Sequence, residues 1–118
     1  MATTTNLQRR EERANTASHG FGVLLALAAL PVLAAEGAAT GPARELGVWV
    51  FAATMLLLYA VSSAYHAAPI GRSKVWLKRA DHAAIFVFMA GSFTPFALGH
   101  ALGGPLLAGV WAVALAGV

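Results

Sequence analysis

Four apolar runs, at about residues 19–39, 47–68, 80–98 and 105–118, constrain this chain more than any other feature. A helix needs about 20 predominantly apolar residues to cross the hydrocarbon core of a bilayer. Inside that core every backbone N–H and C=O must be satisfied by the protein itself, which leaves helices and closed barrels as the spanning structures. No strand-like alternation lasts long enough here for a barrel. The predicted class is therefore an all-α integral membrane protein, a transmembrane helix bundle. Composition points the same way: 58% of the residues are hydrophobic and 11% charged, against roughly 25% charged in soluble domains. A chain with so few charges cannot cover itself for water.

The division is a polar segment over residues 1–18, its first few residues loosely held, and a membrane domain over 19–118. The linkers support it. Residues 36–46 carry Gly37, Gly41 and Pro42, which favour a turn. Pro69-Ile70-Gly71-Arg72 is a tight connection, after which Ser73 is the expected helix cap. Gly99 to Pro105 is rich in glycine. The last run covers only about 21 Å at 1.5 Å per residue, short of the roughly 30 Å core. The expectation is that the chain is part of a longer membrane protein. A rival reading makes the first run a cleaved signal peptide, but its leading region would be unusually long and would contain Glu11 and Glu12.

The placement of charge carries more than the net +3. Arg9, Arg10 and Arg13 precede the first run, and Arg72, Lys74, Lys78 and Arg79 lie between the second and third; only Arg44 stands apart. Positive residues collect on the cytoplasmic side of membrane proteins, so the N-terminus and the 72–79 segment are expected there, in a multi-pass protein. No interleaving of aromatic and basic residues suggests nucleic acid; the expected partners are membrane lipids. The absence of cysteine removes disulfides, thiol chemistry and cysteine-based metal sites.

Against this apolar background the polar residues stand out. Ser62 and His66 are four apart and share one helix face. Asp81 falls near the start of the third run. An ionisable group within a span marks a functional site by default, and a hydroxyl, an imidazole and a carboxylate from neighbouring helices suit a metal ion and its water. The competing reading puts His66 and Asp81 at the polar interface, with Ser62 bonded to its own helix. If Asp81 is buried, its expected partners are His66, a metal's water, Lys78 or Arg79. His82, rotated about 100° from Asp81, and His100 are read as interfacial and loop residues. Glu12, Asn15 and His19 share a face of any helix leading into the first run; they are either a polar stripe at the bundle's mouth or a solvated turn. Thr94-Pro95 predicts a kink, with the threonine hydroxyl bonded to the carbonyl that proline frees.

Glu12-x-x-Asn15-x-x-Ser18-His19, Ser62-x-x-x-His66, Asp81-His82 and Gly91-Ser92-Phe93-Thr94-Pro95-Phe96, in this order, resemble the hemolysin III family, the bacterial branch of the progestin and adipoQ receptor group. The resemblance covers nearly all of residues 11–118. It implies a seven-helix membrane protein with a cytoplasmic N-terminus, of which this chain is the N-terminal four-helix portion. It also implies a zinc ion held by His66 and by two histidines of a later H-x-x-x-H that residues 1–118 do not contain. In that pattern Asp81 holds the metal's water and Ser62 supports the site, so Asp81 and Ser62 are the catalytic candidates and His66 the metal ligand. The implied activity is that of a zinc-dependent intramembrane lipid-amide hydrolase, as in the adipoQ-type receptors and alkaline ceramidases, or of a metal-containing protein of membrane homeostasis. The alternative is a pore-forming, cytolytic protein without hydrolase activity.

Overall fold

The computed structural model describes the backbone of residues 2–118 and the side chains of residues 5–118. Four helices follow one another: α1 (Ala2–Ala39), α2 (Pro42–Ala67), α3 (Arg72–Ala97) and α4 (Gly103–Ala116). Each packs on its neighbour in sequence, α1 on α2, α2 on α3 and α3 on α4, so the helices form a row 58 × 31 × 19 Å in extent.

This is a bundle built for lipid. Its buried residues are small: Ala26, Ala52, Ala84, Ala90, Ala97 and Ala114, with Thr54, Ser62 and Thr94. Among the described residues no large side chain is fully buried, while Leu24, Val32, Met89, Phe96 and Val113 are each more than 60% exposed. In water such an arrangement would forfeit the hydrophobic drive to fold. In a bilayer, where lipid tails are as apolar as leucine, small residues let helix backbones approach and supply the contact. Helices α1 and α2 are long and apolar enough to cross a membrane. The 38 residues of α1 extend about 57 Å, well beyond a core of roughly 30 Å. Its polar N-terminal part therefore projects past the apolar layer as a continuation of the helix. Of the expectation that the first few residues are loosely held, Met1 lies outside the described residues.

Three close approaches set the register between α2 and α3. A side chain at Gly91 would collide with Thr54, and one at Gly47 would come within 2.6 Å of the Pro95 Cα. Phe51 and Phe88 stack at 6.0 Å between ring centroids. The α1–α2 register is set similarly, by Gly22 against the Tyr59 ring and Gly20 against Ser63.

The turns differ from expectation in detail. The first is only Thr40 and Gly41, since Gly41 with φ 93° reverses the chain and Pro42 sits in the opening turn of α2, where its missing N–H costs nothing. Gly37, expected in the turn, lies inside α1, with Glu45 and Val48 of α2 each 3.4 Å from where its Cβ would sit. Ser73 does not cap α3: Gly71 takes the cap position without any side-chain bond, and Ser73 lies inside the helix. Thr94 bonds the carbonyl of Ala90 at 2.8 Å, four residues back, rather than that of Gly91, which Pro95 leaves without its usual donor. The Thr94 hydroxyl also accepts from the Trp111 indole N–H at 3.1 Å, joining α3 to α4.

Candidate functional site

The N-terminal part of α1 packs along the end of α2, within side-chain reach of the start of α3, and polar groups of all three meet there. Glu12 is the hub. Its Oε2 accepts from His66 Nδ1 at 2.7 Å, and its Oε1 accepts from Lys74 Nζ at 3.0 Å. Seven residues along α1, His19 meets Ser62 through a hydrogen bond between Nδ1 and the hydroxyl. The seven-residue step is two helical turns, so Glu12 and His19 share the face that α2 covers. His66 and Ser62, one turn apart on α2, each receive one of them. The His19 and His66 rings stand edge-on with centroids 5.4 Å apart. Tyr65 lies beside His66, and Lys74 Nζ sits 5.0 Å over the Tyr65 ring.

Beside this network opens a cavity of about 780 Å³, whose walls include Arg9, Glu12, Asn15, His66, Ile70 and Lys74. The two basic clusters therefore occupy the same end of the bundle, while Arg44 packs against Gly99 at the other. Glu12 lies outside the apolar stretch of α1. Its carboxyl is held below the usual glutamate value, first by the hydrogen bond from His66 and next by that from Lys74, against a smaller opposing effect of burial.

The sequence-predicted site residues fare differently. His66 is held in place, its side chain 16% exposed. Ser62 is buried and bonds His19, where the competing reading had it bonded to its own helix. Asp81 is half-buried and, among the described residues, has no hydrogen bond or ion pair with His66, Lys78 or Arg79. Arg79 instead lies 5.1 Å over the Trp76 ring. The α2–α3 register places Asp81 at the level of the Ser62 turn, about one helical turn deeper than His66. His82 donates back to the Lys78 carbonyl at 2.8 Å and is exposed, as is His100.

Glu12, His19 and Lys74 are the site residues that sequence reading underrated. The spacing of Glu12, Asn15 and His19 was the available signal, and it fits both a buried stripe and a solvated turn. For Lys74, whose charge alone suggested topology, no signal existed.

A zinc ion suits the chemistry of His66. With Nδ1 engaged by a carboxylate, Nε2 makes no hydrogen bond among the described residues and is the nitrogen free to coordinate. Metal-bound histidines characteristically use their second nitrogen in this way. Among the described residues no three His, Asp or Glu side chains gather as a metal-holding group, so His66 would be one ligand of a set.

Comparison with known proteins gives a consistent answer. A family model described as haemolysin-III related matches residues 7–118. The chain is 42% identical over 113 residues to a protein of Bacillus subtilis (strain 168) named Hemolysin-3 homolog, covering 92% of this chain and 53% of that protein. It is 34% identical over 113 residues to Hemolysin-3 of Bacillus cereus, covering 92% of this chain and 52% of that one. The chain thus spans about half the length of these curated relatives. No solved structure matches.

Proposed function

Because this chain belongs to the haemolysin III family of membrane proteins, we propose that it supplies part of the zinc site of an intramembrane lipid-amide hydrolase. The observation that carries the reading is the state of His66: its side chain is largely buried, Nδ1 is committed to Glu12, and Nε2 is free of hydrogen bonds among the described residues. That is how a histidine ligand is prepared.

In this reading His66 binds zinc through Nε2, and the other ligands come from beyond the residues described. Bound zinc supplies a Lewis acid that polarises a carbonyl and lowers the pKa of water to about 7. Asp81, about one turn deeper on α3, accepts the proton of the attacking water at its carboxylate. Its lack of a partner among the described residues leaves both oxygens open for that task. Ser62 acts through its bond to His19, which packs edge-on against His66 and limits rotation of its ring. The substrate is a membrane lipid amide reaching the site from the bilayer or the polar cavity.

The same reading orients the protein in a bacterial inner membrane with the N-terminus cytoplasmic, supported by two basic clusters at one end of the bundle. The printed name of the relatives supports a second reading, a cytolytic pore. We favour the first, because the hydroxyls of Thr54, Ser92 and Thr94 bond carbonyls of their own helices instead of lining a polar path between the two ends of the bundle.

The test uses a protein covering the full length of the relatives. It should carry stoichiometric zinc, His66→Ala should lose most of it, and Asp81→Asn should keep it while losing lipid-amide hydrolysis, because an amide cannot accept the proton. Undiminished zinc in His66→Ala would overturn the ligand assignment. Dye release from liposomes without zinc dependence would favour the pore.

A further inference from the structure

The zinc reading needs His66 to offer Nε2, and the geometry points to the residue that makes it do so. We propose that Glu12 of α1 is the positioning residue of the site, holding neutral His66 in the Nδ1–H tautomer so that Nε2 keeps its lone pair for the metal. The inference rests on the reading of His66 as a ligand for its purpose, but the tautomer itself is set in the metal-free protein.

An ionised carboxylate can only accept hydrogen bonds. At 2.7 Å from Glu12 Oε2, Nδ1 must therefore carry the proton. A neutral imidazole has one N–H and one lone pair, so Nε2 is left unprotonated. Lys74 Nζ, 3.0 Å from the other carboxylate oxygen, takes up Oε1 and leaves Oε2 to His66. The preference is not that of free histidine, where the Nε2–H form is the more populated. Here the local contact reverses it.

The arrangement also binds the N-terminal part of α1 into the site. Glu12 stands 54 residues from His66 and on a different helix, so the proper tautomer forms only once α1 has docked on α2. His66 itself lines the cavity beside the pair. Neither Tyr65 nor His19, both packed against the His66 ring, hydrogen-bonds it, so Glu12 is its hydrogen-bonding partner among the described residues.

The experiment is nitrogen NMR of the 118-residue chain, labelled at histidine and reconstituted without metal in lipid, at a pH where imidazole is neutral. His66 is identified by loss of its signals in His66→Ala. The expected result is the Nδ1–H tautomer in the unmodified chain. Glu12→Leu, which removes the acceptor, should shift the tautomer ratio toward Nε2–H by about tenfold or more. Lys74→Met, which loosens the same helix contact but spares the acceptor, should leave Nδ1–H dominant. An Nε2–H majority in the unmodified chain overturns the proposal even if no variant folds. So does an unshifted Glu12→Leu, or an equal shift in Lys74→Met, which would trace the effect to helix docking. In a protein of the relatives' full length, Glu12→Leu should weaken zinc affinity about 10–100-fold. The two ideas fail separately: undiminished zinc in His66→Ala removes the ligand reading, while an unmoved tautomer in Glu12→Leu removes the role of Glu12.

Discussion

Glu12 and His66, 54 residues apart in sequence, are joined by a 2.7 Å hydrogen bond that fastens the protruding part of α1 to the end of α2. Lys74 adds the start of α3 to the same carboxylate. One side chain thus holds three helices at the polar end of the bundle. The hydrogen bonds from His66 and then from Lys74 explain why the Glu12 carboxyl sits below its ordinary value.

That depression has a pH consequence. A carboxylate whose folded-state pKa is lowered contributes stability above its unfolded value and loses it as pH falls through the lowered one. Spin labels at Gln8 of α1 and Ile70 of the α2–α3 turn, both lining the cavity, should keep their separation at neutral pH and move apart only below the usual carboxylate range. In Glu12→Gln the pH dependence should vanish. A separation beginning where histidine titrates would refute the assignment to Glu12.

Packing between α2 and α3 makes two glycines unequal. Gly91→Ala meets the Thr54 side chain and Gly47→Ala meets the Pro95 backbone. Each should destabilise the bundle by roughly 1–3 kcal/mol, as overpacking does. Thr54→Gly should recover much of the loss in Gly91→Ala, since it removes the colliding side chain. It should recover nothing in Gly47→Ala. Unfolding in mixed detergent would measure both, and equal rescue of the two would contradict the packing described.

The joint between α3 and α4 rests partly on the Trp111 indole and the Thr94 hydroxyl. Trp111→Phe should cost about 0.6 kcal/mol, the average for side-chain hydrogen bonds within a membrane bundle, and at most about 1.7 kcal/mol. Thr94→Val loses this same bond together with its own bond to Ala90, so the double variant Trp111→Phe, Thr94→Val should lose less than the sum of the two single losses. An additive loss in that double variant would mean the two residues act independently.

Topology can be read directly. A reporter fused at Gly41 should report the periplasm and one at Ser73 the cytoplasm, because Gly41 lies in the turn remote from both basic clusters. The reverse pattern would put the polar cavity outside the cell.

Much of this protein can be read without its tertiary structure. The apolar runs mark all four helices, since a segment that long and that greasy has one way to satisfy its backbone in lipid. The positions of Arg9 to Arg13 and of Arg72 to Arg79 group two helix ends on one side, and the spacing of Ser62 and His66 puts them on one face. Even the face shared by Glu12 and His19 follows from 3.6 residues per turn. What periodicity cannot contain is the partner of that face. Ser62 went to His19 and His66 to Glu12, rather than to one another, because Gly20 and Gly22 let α1 settle against Ser63 and Tyr59 of α2 in one register. Asp81, the most conspicuous charge in the sequence, acquired no partner among the described residues, while Lys74, which had looked like a topology signal, became part of the site. Helix periodicity is local and set by the backbone; register between helices is set by which small residues permit close approach dozens of positions away, and only the folded bundle decides it.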